Sequence, residues 1–278
     1  MTGHCNICGW SGIFLKPERQ REGMLCGNCS ASSRHRLIVE VLGRIVRQAG
    51  RPLFRWPAKK QLRILESSAR GSYPIMLADK FDYYATEYDP SKIEEGKRPR
   101  AYADFQKLHY ADGMFDVVVA SDVFEHVRKD EEGYREIFRV LKDGGSFILT
   151  VPYDHNQQTT IPRVDTSGDQ DVNILEPEYH GGGGHTLTYR NYGRDLLSVL
   201  HKVGYSVGYF EVEIAASGIT KQSVIVCRKG DFVEIAETSG DELGATKREA
   251  VGFLAPYRMF LLVKYNLKGF LYFWRLKR

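Results

Sequence analysis

Short apolar runs recur through the middle of this chain, separated by stretches in which apolar residues return every three or four positions. The runs are LRILES at 62–67, YYATEY at 83–88, FDVVVAS at 115–121, SFILTVP at 146–152, YSVGYFEVE at 205–213 and SVIVCR at 223–228. Segments such as DVVVA and FILTV are apolar at every position, which suits strands buried on both faces of a parallel sheet flanked by helices. Helical periodicity appears at Leu37, Ile38, Val41, Leu42 and Ile45, again in YREIFRVLKDGG with Gly144 and Gly145 as its stop, and in RDLLSVLHKVG with Gly204 as its stop. The last two β runs lie too close together for an intervening helix, so they are predicted to form an antiparallel hairpin at a sheet edge. The pattern predicts a doubly wound, mostly parallel α/β sheet.

The breaks in the pattern divide the chain into segments. Residues 1–32 precede any long periodic segment, and 33–58 read as a linker helix and connection, broken by Gly50, Pro52 and Pro57. The core is predicted over 59–229. Within it, residues 154–184 show neither period, and a structureless stretch of that length in a compact domain reads as a lid. Residues 230–250 read as a polar linker. Over 251–278 a basic and aromatic helix is predicted, with Lys264, Lys268 and Arg275 within about 40° of one another and apolar side chains around most of the rest. Such a helix suits peripheral membrane contact, with Tyr272 and Trp274 at the headgroup level, or packing on the domain or a partner.

Composition adds little: 42% apolar residues, a formal charge of +4 and a pI near 8.7 describe an ordinary, mildly basic globular chain. The cysteines say more. Cys5 and Cys8 in HCNIC and Cys26 and Cys29 in LCGNC form two C-x2-C pairs. Two thiolates on a tight turn converge on one ion, and a second such turn completes a tetrahedron, so these four are the predicted ligands of a structural Zn2+ in a zinc ribbon. Redox dithiols and disulfides are the rival readings. The opening MTGHCNICGW has no basic stretch followed by an apolar run, so a reducing, cytoplasmic setting is expected. Cys227, in SVIVC, is predicted to be a buried core residue.

Ligands of open parallel sheets bind beyond the carboxyl ends of the strands. The first run ends in Glu66, followed by Ser68 and Gly71; the second in Glu87 and Tyr88. Asp104 and Phe105 follow in YADFQKLHY, and the next strand ends in Ser121 and Asp122. The order of these residues, together with the block DFQKLHYADGMFDVVVASDVFEHVRKDEEGYREIFRVLKDGGSFILTVP at 104–152, resembles the class I S-adenosylmethionine-dependent methyltransferases of type 11. The N-terminal CGNCSASSRHR is similar to a branch of that superfamily. The resemblance implies a Rossmann-like core with a seven-stranded sheet. It also implies S-adenosylmethionine as cofactor, with Glu87 on the ribose hydroxyls, Asp104 and Phe105 at the adenine, and the Glu66-Ser-Ser-Ala-Arg-Gly loop under the methionine part. That loop keeps only Gly71 of the family's three glycines and carries Arg70.

Methyl transfer from a sulfonium is an in-line displacement, which placement and water exclusion can drive, with a base needed only for a protonated acceptor. Asp122 and His126 are the candidate catalytic groups, ahead of Tyr153, His155, His180 and His185. The leading expectation is methyl transfer to a small-molecule or glycan acceptor. An RNA methyltransferase, with Arg34, His35 and Arg36 on phosphates, is the second reading, and a catalytically inactive interaction protein the third. Loss of the cysteine cluster is expected to damage folding or acceptor binding before it touches the cofactor site.

Overall fold

The computed structural model describes residues 2–16, 22–89, 102–180 and 185–231, together with the backbone of 249–251 and 262–264. In chain order the principal elements are β1 (Thr2–His4), β2 (Ser11–Ile13), α1 (Ser33–Ile45), β3 (Arg63–Ser67), α2 (Tyr73–Lys80) and β4 (Asp82–Thr86). They continue with β5 (Phe115–Ser121), α3 (Asp130–Val140), β6 (Leu141–Thr150), α4 (Asp195–Val203), β7 (Tyr205–Ile214) and β8 (Ile219–Lys229). The main sheet runs β4–β3–β5–β6–β8–β7. Its first four strands are parallel, while β8 pairs antiparallel with both β6 and β7. Leu262–Lys264 adds a parallel strand beyond β7 and Glu249–Val251 an antiparallel one beyond that, so the sheet has eight strands, six of them long. Leu262–Lys264 is thus extended where a helix is expected; the remainder of 252–278 lies outside the described residues.

Strand alternation sends side chains into two cores. Leu65, Val118, Ala120, Phe147 and Leu149 meet Tyr134 and Ile137 of α3 and Leu196 and Leu200 of α4 on one face, with Cys227 buried among them as predicted. Ile64, Val117, Val119 and Ile148 meet α1 and α2 on the other. Each fully buried aliphatic or aromatic side chain is worth about 1.5–3 kcal/mol, so neither face is dispensable.

The second core also contains Cys5, Ile7, Phe14 and Cys26. The helix expected as a linker is therefore a wall of the sheet's core, with Leu37, Ile38 and Leu42 fully buried. Tertiary packing explains this: α1 covers β8 and β6, leaving no gap between ribbon and sheet. Arg36 secures the junction. Its guanidinium, with no exposed surface, donates to the carbonyls of Ala31, Met24 (2.8 Å), Ser217 (2.7 Å) and Gly218 (2.7 Å), the last two in the β7–β8 turn. It also stacks 4.4 Å from the Phe14 ring centroid. Gly218 has φ +64° and lies so close to Phe14 that a Cβ would meet the ring at 2.6 Å, so only glycine fits that turn.

Two local expectations are corrected. The α3 helix ends at Val140, not at the glycines: β6 starts at Leu141, and Gly144 (φ +77°) sits in a shift of register between the Phe115–Leu141 and Val117–Ser146 pairings. The aperiodic stretch beginning at 154 carries short strand pairings, Ile161–Pro162 with Arg190–Asn191, Val164–Asp165 with Val172–Asn173, and Tyr179–His180 with Thr186–Leu187. Arg190 pins it to the turn that follows β5, donating to the carbonyls of Phe124 (3.1 Å), Val127 (2.6 Å) and Arg128 (2.7 Å).

Candidate functional site

The carboxyl ends of β3, β4, β5 and β6 open into a cleft of about 1160 Å3. Ser68, Glu87, Tyr88, Asp104, Phe105, Ser121, Asp122 and His126 all line it, so most of the residues singled out from the sequence converge. The parallel register produces this: β3, β4 and β5 are aligned so that Ser67 pairs with both Thr86 and Ala120, bringing the next residues of each strand level. Asp104 is locked in a turn by the Gln106 backbone N–H, which donates to its Oδ1 at 2.8 Å. Phe105 is mostly buried and meets Phe124 edge-on, whereas Tyr88 stands out at the rim.

Glu66 is placed differently from the expectation. Its carboxylate is buried away from the cleft, accepting hydrogen bonds from Tyr73 and from Tyr83 (2.6 Å). Burial pushes its pKa up to about 7, against the pull of the two phenols. A carboxyl raised in the folded state makes the native protein bind more protons than the unfolded one, so stability falls as pH rises between about 4.5 and 7. The expected contribution is about 3 kcal/mol across that interval, and Glu66→Gln should flatten the slope in denaturant titrations at pH 5 and 8; an unchanged slope would contradict it.

Two non-glycine residues in the cleft have left-handed backbone, Ser68 at φ +53° and Asp122 at φ +51°. Such conformations cost free energy and persist where the surroundings over-determine them. For Asp122 the surroundings are visible. Its N–H donates to Thr150 O at 2.8 Å, Thr150 Oγ1 donates to its carboxylate at 3.2 Å, and the Arg34 guanidinium forms a close ion pair with Oδ2. Arg34 also pairs with Glu22 at 2.8 Å.

Arg34 and its neighbour His35 line the cleft and were not assigned to the cofactor side from sequence. Their position follows from the N-cap of α1, where Ser32 accepts from the His35 N–H at 3.3 Å and His35 Nδ1 accepts from the Ser32 N–H at 3.4 Å. The only early signal is the SSRHR segment itself. His35 packs on Tyr73 and on Gly71 (φ +90°), where an added Cβ would lie 2.9 Å from the ring. Burial holds the His35 pKa down to about 4. Gly71 thus serves close packing behind the loop. Arg34, in the first turn of the helix that follows the cysteine segment, thus links that segment to the cleft. Arg36, completely enclosed, is not placed to meet phosphates.

The far wall of the cleft comes from the 154–192 insertion and the Phe124–His126 turn, with Tyr153, Glu178, His180, Tyr189 and Arg190 facing in. Burial raises the Tyr153 pKa to about 12. His155 stands apart, 3.4 Å from Glu211, and His185 is exposed. His126 Nδ1 lies 2.8 Å from the Leu187 carbonyl, its ring is 4.6 Å from that of His180, and Nε2 is 3.9 Å from Glu125.

The four cysteines are reduced and clustered, with Sγ–Sγ separations of 3.8 Å for Cys5–Cys29 and Cys8–Cys26. Four sulfurs about 2.3 Å from one ion at tetrahedral angles are about 3.8 Å apart, so the quartet fits Zn2+ and leaves no coordination position open. The hydrogen bond between Cys5 and Cys29 lowers the pKa of the Cys29 thiol and raises that of Cys5, so without a metal one thiolate is favoured at its partner's expense.

Residues 67–149, under a third of the chain, match the family model described as a methyltransferase domain. The sterol 24-C-methyltransferase of Saccharomyces cerevisiae is 35% identical over 82 residues, 28% of this chain and 20% of that one. The sarcosine/dimethylglycine N-methyltransferase of Halorhodospira halochloris is 46% identical over 50 residues, 18% of each chain. An S-adenosylmethionine-dependent methyltransferase of solved structure from Mesorhizobium loti has a TM-score of 0.41 and 16% identity, covering 64% of this chain and 96% of that one. The chain thus spans about a fifth of the length of the curated relatives it matches. Residues 67–149 are thus similar to a methyltransferase domain. Among the described residues no helix is long and apolar enough to cross a membrane.

Proposed function

We propose that this chain transfers a methyl group from S-adenosylmethionine to a small-molecule or glycan acceptor held under the 154–192 insertion. The observation that carries this reading is the convergence of Ser68, Glu87, Asp104 and Asp122, four strand-end or loop residues, on one roofed cleft. The cofactor supplies an electrophilic methyl on a positive sulfur. Glu87 presents two acceptor oxygens to a vicinal diol, as a ribose requires. Asp104, its carboxylate fixed by Gln106, is placed to accept from an exocyclic amine. Asp122 and Arg34 offer a negative and a positive group side by side, which suits the ammonium and carboxylate of an amino acid.

This pairing assigns Asp122 to positioning, because its carboxylate is engaged by Arg34 and Thr150. His126 then remains as the polar group facing the acceptor, its ring oriented by the contact of Nδ1 with the Leu187 carbonyl. The insertion, anchored by the buried Arg190, walls the acceptor side of the cleft. The sterol and glycine-derivative methyltransferases among the relatives favour a small acceptor over a polymer.

Calorimetric titration with S-adenosylmethionine and its demethylated product tests the reading. Glu87→Ala is expected to weaken cofactor affinity about 10- to 100-fold, the worth of one or two hydrogen bonds to a charged acceptor, with the thermal midpoint unchanged. A folded, zinc-loaded wild-type protein that binds neither compound would refute the proposal.

A further inference from the structure

We infer that Glu125, His126 and His180 form a binding site for a divalent transition-metal ion on the acceptor side of the cleft, separate from the cysteine quartet. One ligand atom from each of the three lies within 4.8 Å of the others, and all three residues line the cleft. Atoms roughly 2.0–2.2 Å from one ion at tetrahedral angles are about 3.3–3.6 Å apart, so side-chain shifts of up to about an ångström would close the set around an ion.

The orientation of the His126 ring agrees with the assignment. The Leu187 carbonyl, 2.8 Å from His126 Nδ1, can only accept, so Nδ1 carries a proton and Nε2 is the nitrogen turned toward Glu125. A ligating histidine ordinarily has this arrangement, with its second nitrogen donating to a backbone carbonyl that sets the tautomer and ring orientation. Nε2 lies 3.9 Å from the Glu125 carboxylate, and Glu125 has no exposed surface. His180 approaches from the other side on the Tyr179–His180 strand, with Glu178 3.8 Å from its Nε2 as a further anionic group.

Two imidazoles and one carboxylate suit Fe2+, Co2+, Ni2+ or Zn2+ better than Mg2+ or Ca2+, which prefer all-oxygen shells. Three protein ligands leave coordination positions open toward the cleft, so the ion would receive an oxygen or nitrogen of the acceptor. The ion site stands on its own geometry; only its use on an acceptor rests on the methyl-transfer reading.

The test is a cobalt titration of the full chain with its cysteine quartet already filled by one equivalent of zinc. One further Co2+ per chain is expected, with weak visible d–d bands and without the intense thiolate-to-cobalt absorption that exchange at the cysteines would give. His180→Ala, a change at a half-exposed hairpin position, should weaken that binding at least tenfold, and Glu125→Gln should do the same where it folds. No second equivalent, a thiolate-type spectrum, or unchanged affinity in His180→Ala would overturn the site. S-adenosylmethionine titration of the same samples separates the outcomes, since intact cofactor binding without cobalt binding removes the ion site alone.

Discussion

Cys26→Ser should cost this protein its folded state at physiological temperature, not merely its metal. Structural zinc sites in small domains supply apparent binding free energies of about 10–16 kcal/mol, which become folding free energy because no site exists in the unfolded chain. Here the quartet is continuous with the core of the sheet: Cys5, Ile7, Phe14 and Cys26 pack in the same cluster as Leu37, Val119 and Val224. Removing one ligand therefore loosens α1 along with the ribbon. Because Arg34 starts that helix and reaches Asp122 in the cleft, cofactor affinity should fall in the same variant. Scanning calorimetry with a colorimetric zinc assay decides the matter: loss of the zinc equivalent together with a thermal midpoint lowered by more than about 10 °C is expected, on the scale of several kcal/mol. A variant that keeps the wild-type midpoint would show that the cluster is peripheral to folding.

Arg36→Met should be nearly as damaging, at about 3–5 kcal/mol, the range seen when one member of a buried charged network is removed. The guanidinium has no exposed surface and bridges the ribbon to the β7–β8 turn through carbonyls of Met24, Ala31, Ser217 and Gly218. Burial lowers its pKa, while the nearby cysteine thiolates oppose that shift. A Zn2+ ion with four thiolates carries net negative charge, so the quartet and Arg36 compensate each other across α1. Methionine matches the volume but leaves the carbonyls without donors. Lysine should rescue little, because its ammonium cannot reproduce the planar fork of donors. Urea unfolding of zinc-loaded protein measures this; a loss below about 1 kcal/mol would mean that solvent takes over the carbonyls.

Both expectations concern a junction that the linear pattern does not display. Periodicity located every long strand of the sheet, because a strand buried on both faces must be apolar throughout, as in DVVVA and FILTV. The cysteine pairs were legible for a similar reason: thiolate ligands of one ion need fixed local spacing. The strand-end residues Ser68, Glu87, Asp104 and Asp122 were legible because parallel register brings strand ends level whatever the loops do. Glu66 was misplaced, since alternation along β3 turns its side chain toward Tyr73 and Tyr83 instead of the cleft, a matter of facing partners and not of position in the chain. The aperiodic 154–184 stretch concealed short pairings that depend on Arg190 finding three distant carbonyls.

Local chemistry thus determined what this chain is made of: a parallel sheet with a hairpin edge, a four-thiolate metal site and a row of polar residues beyond the strands. Tertiary structure alone decided that the ribbon is part of the sheet's core, that Arg34 enters the cleft while Arg36 is sealed behind it, and that Glu125, His126 and His180 face one another. The physical reason is range. Backbone periodicity and turn-borne ligands are set by neighbours a few residues apart, whereas Arg36 to Gly218 and His126 to His180 are contacts between segments brought together only when apolar faces are buried.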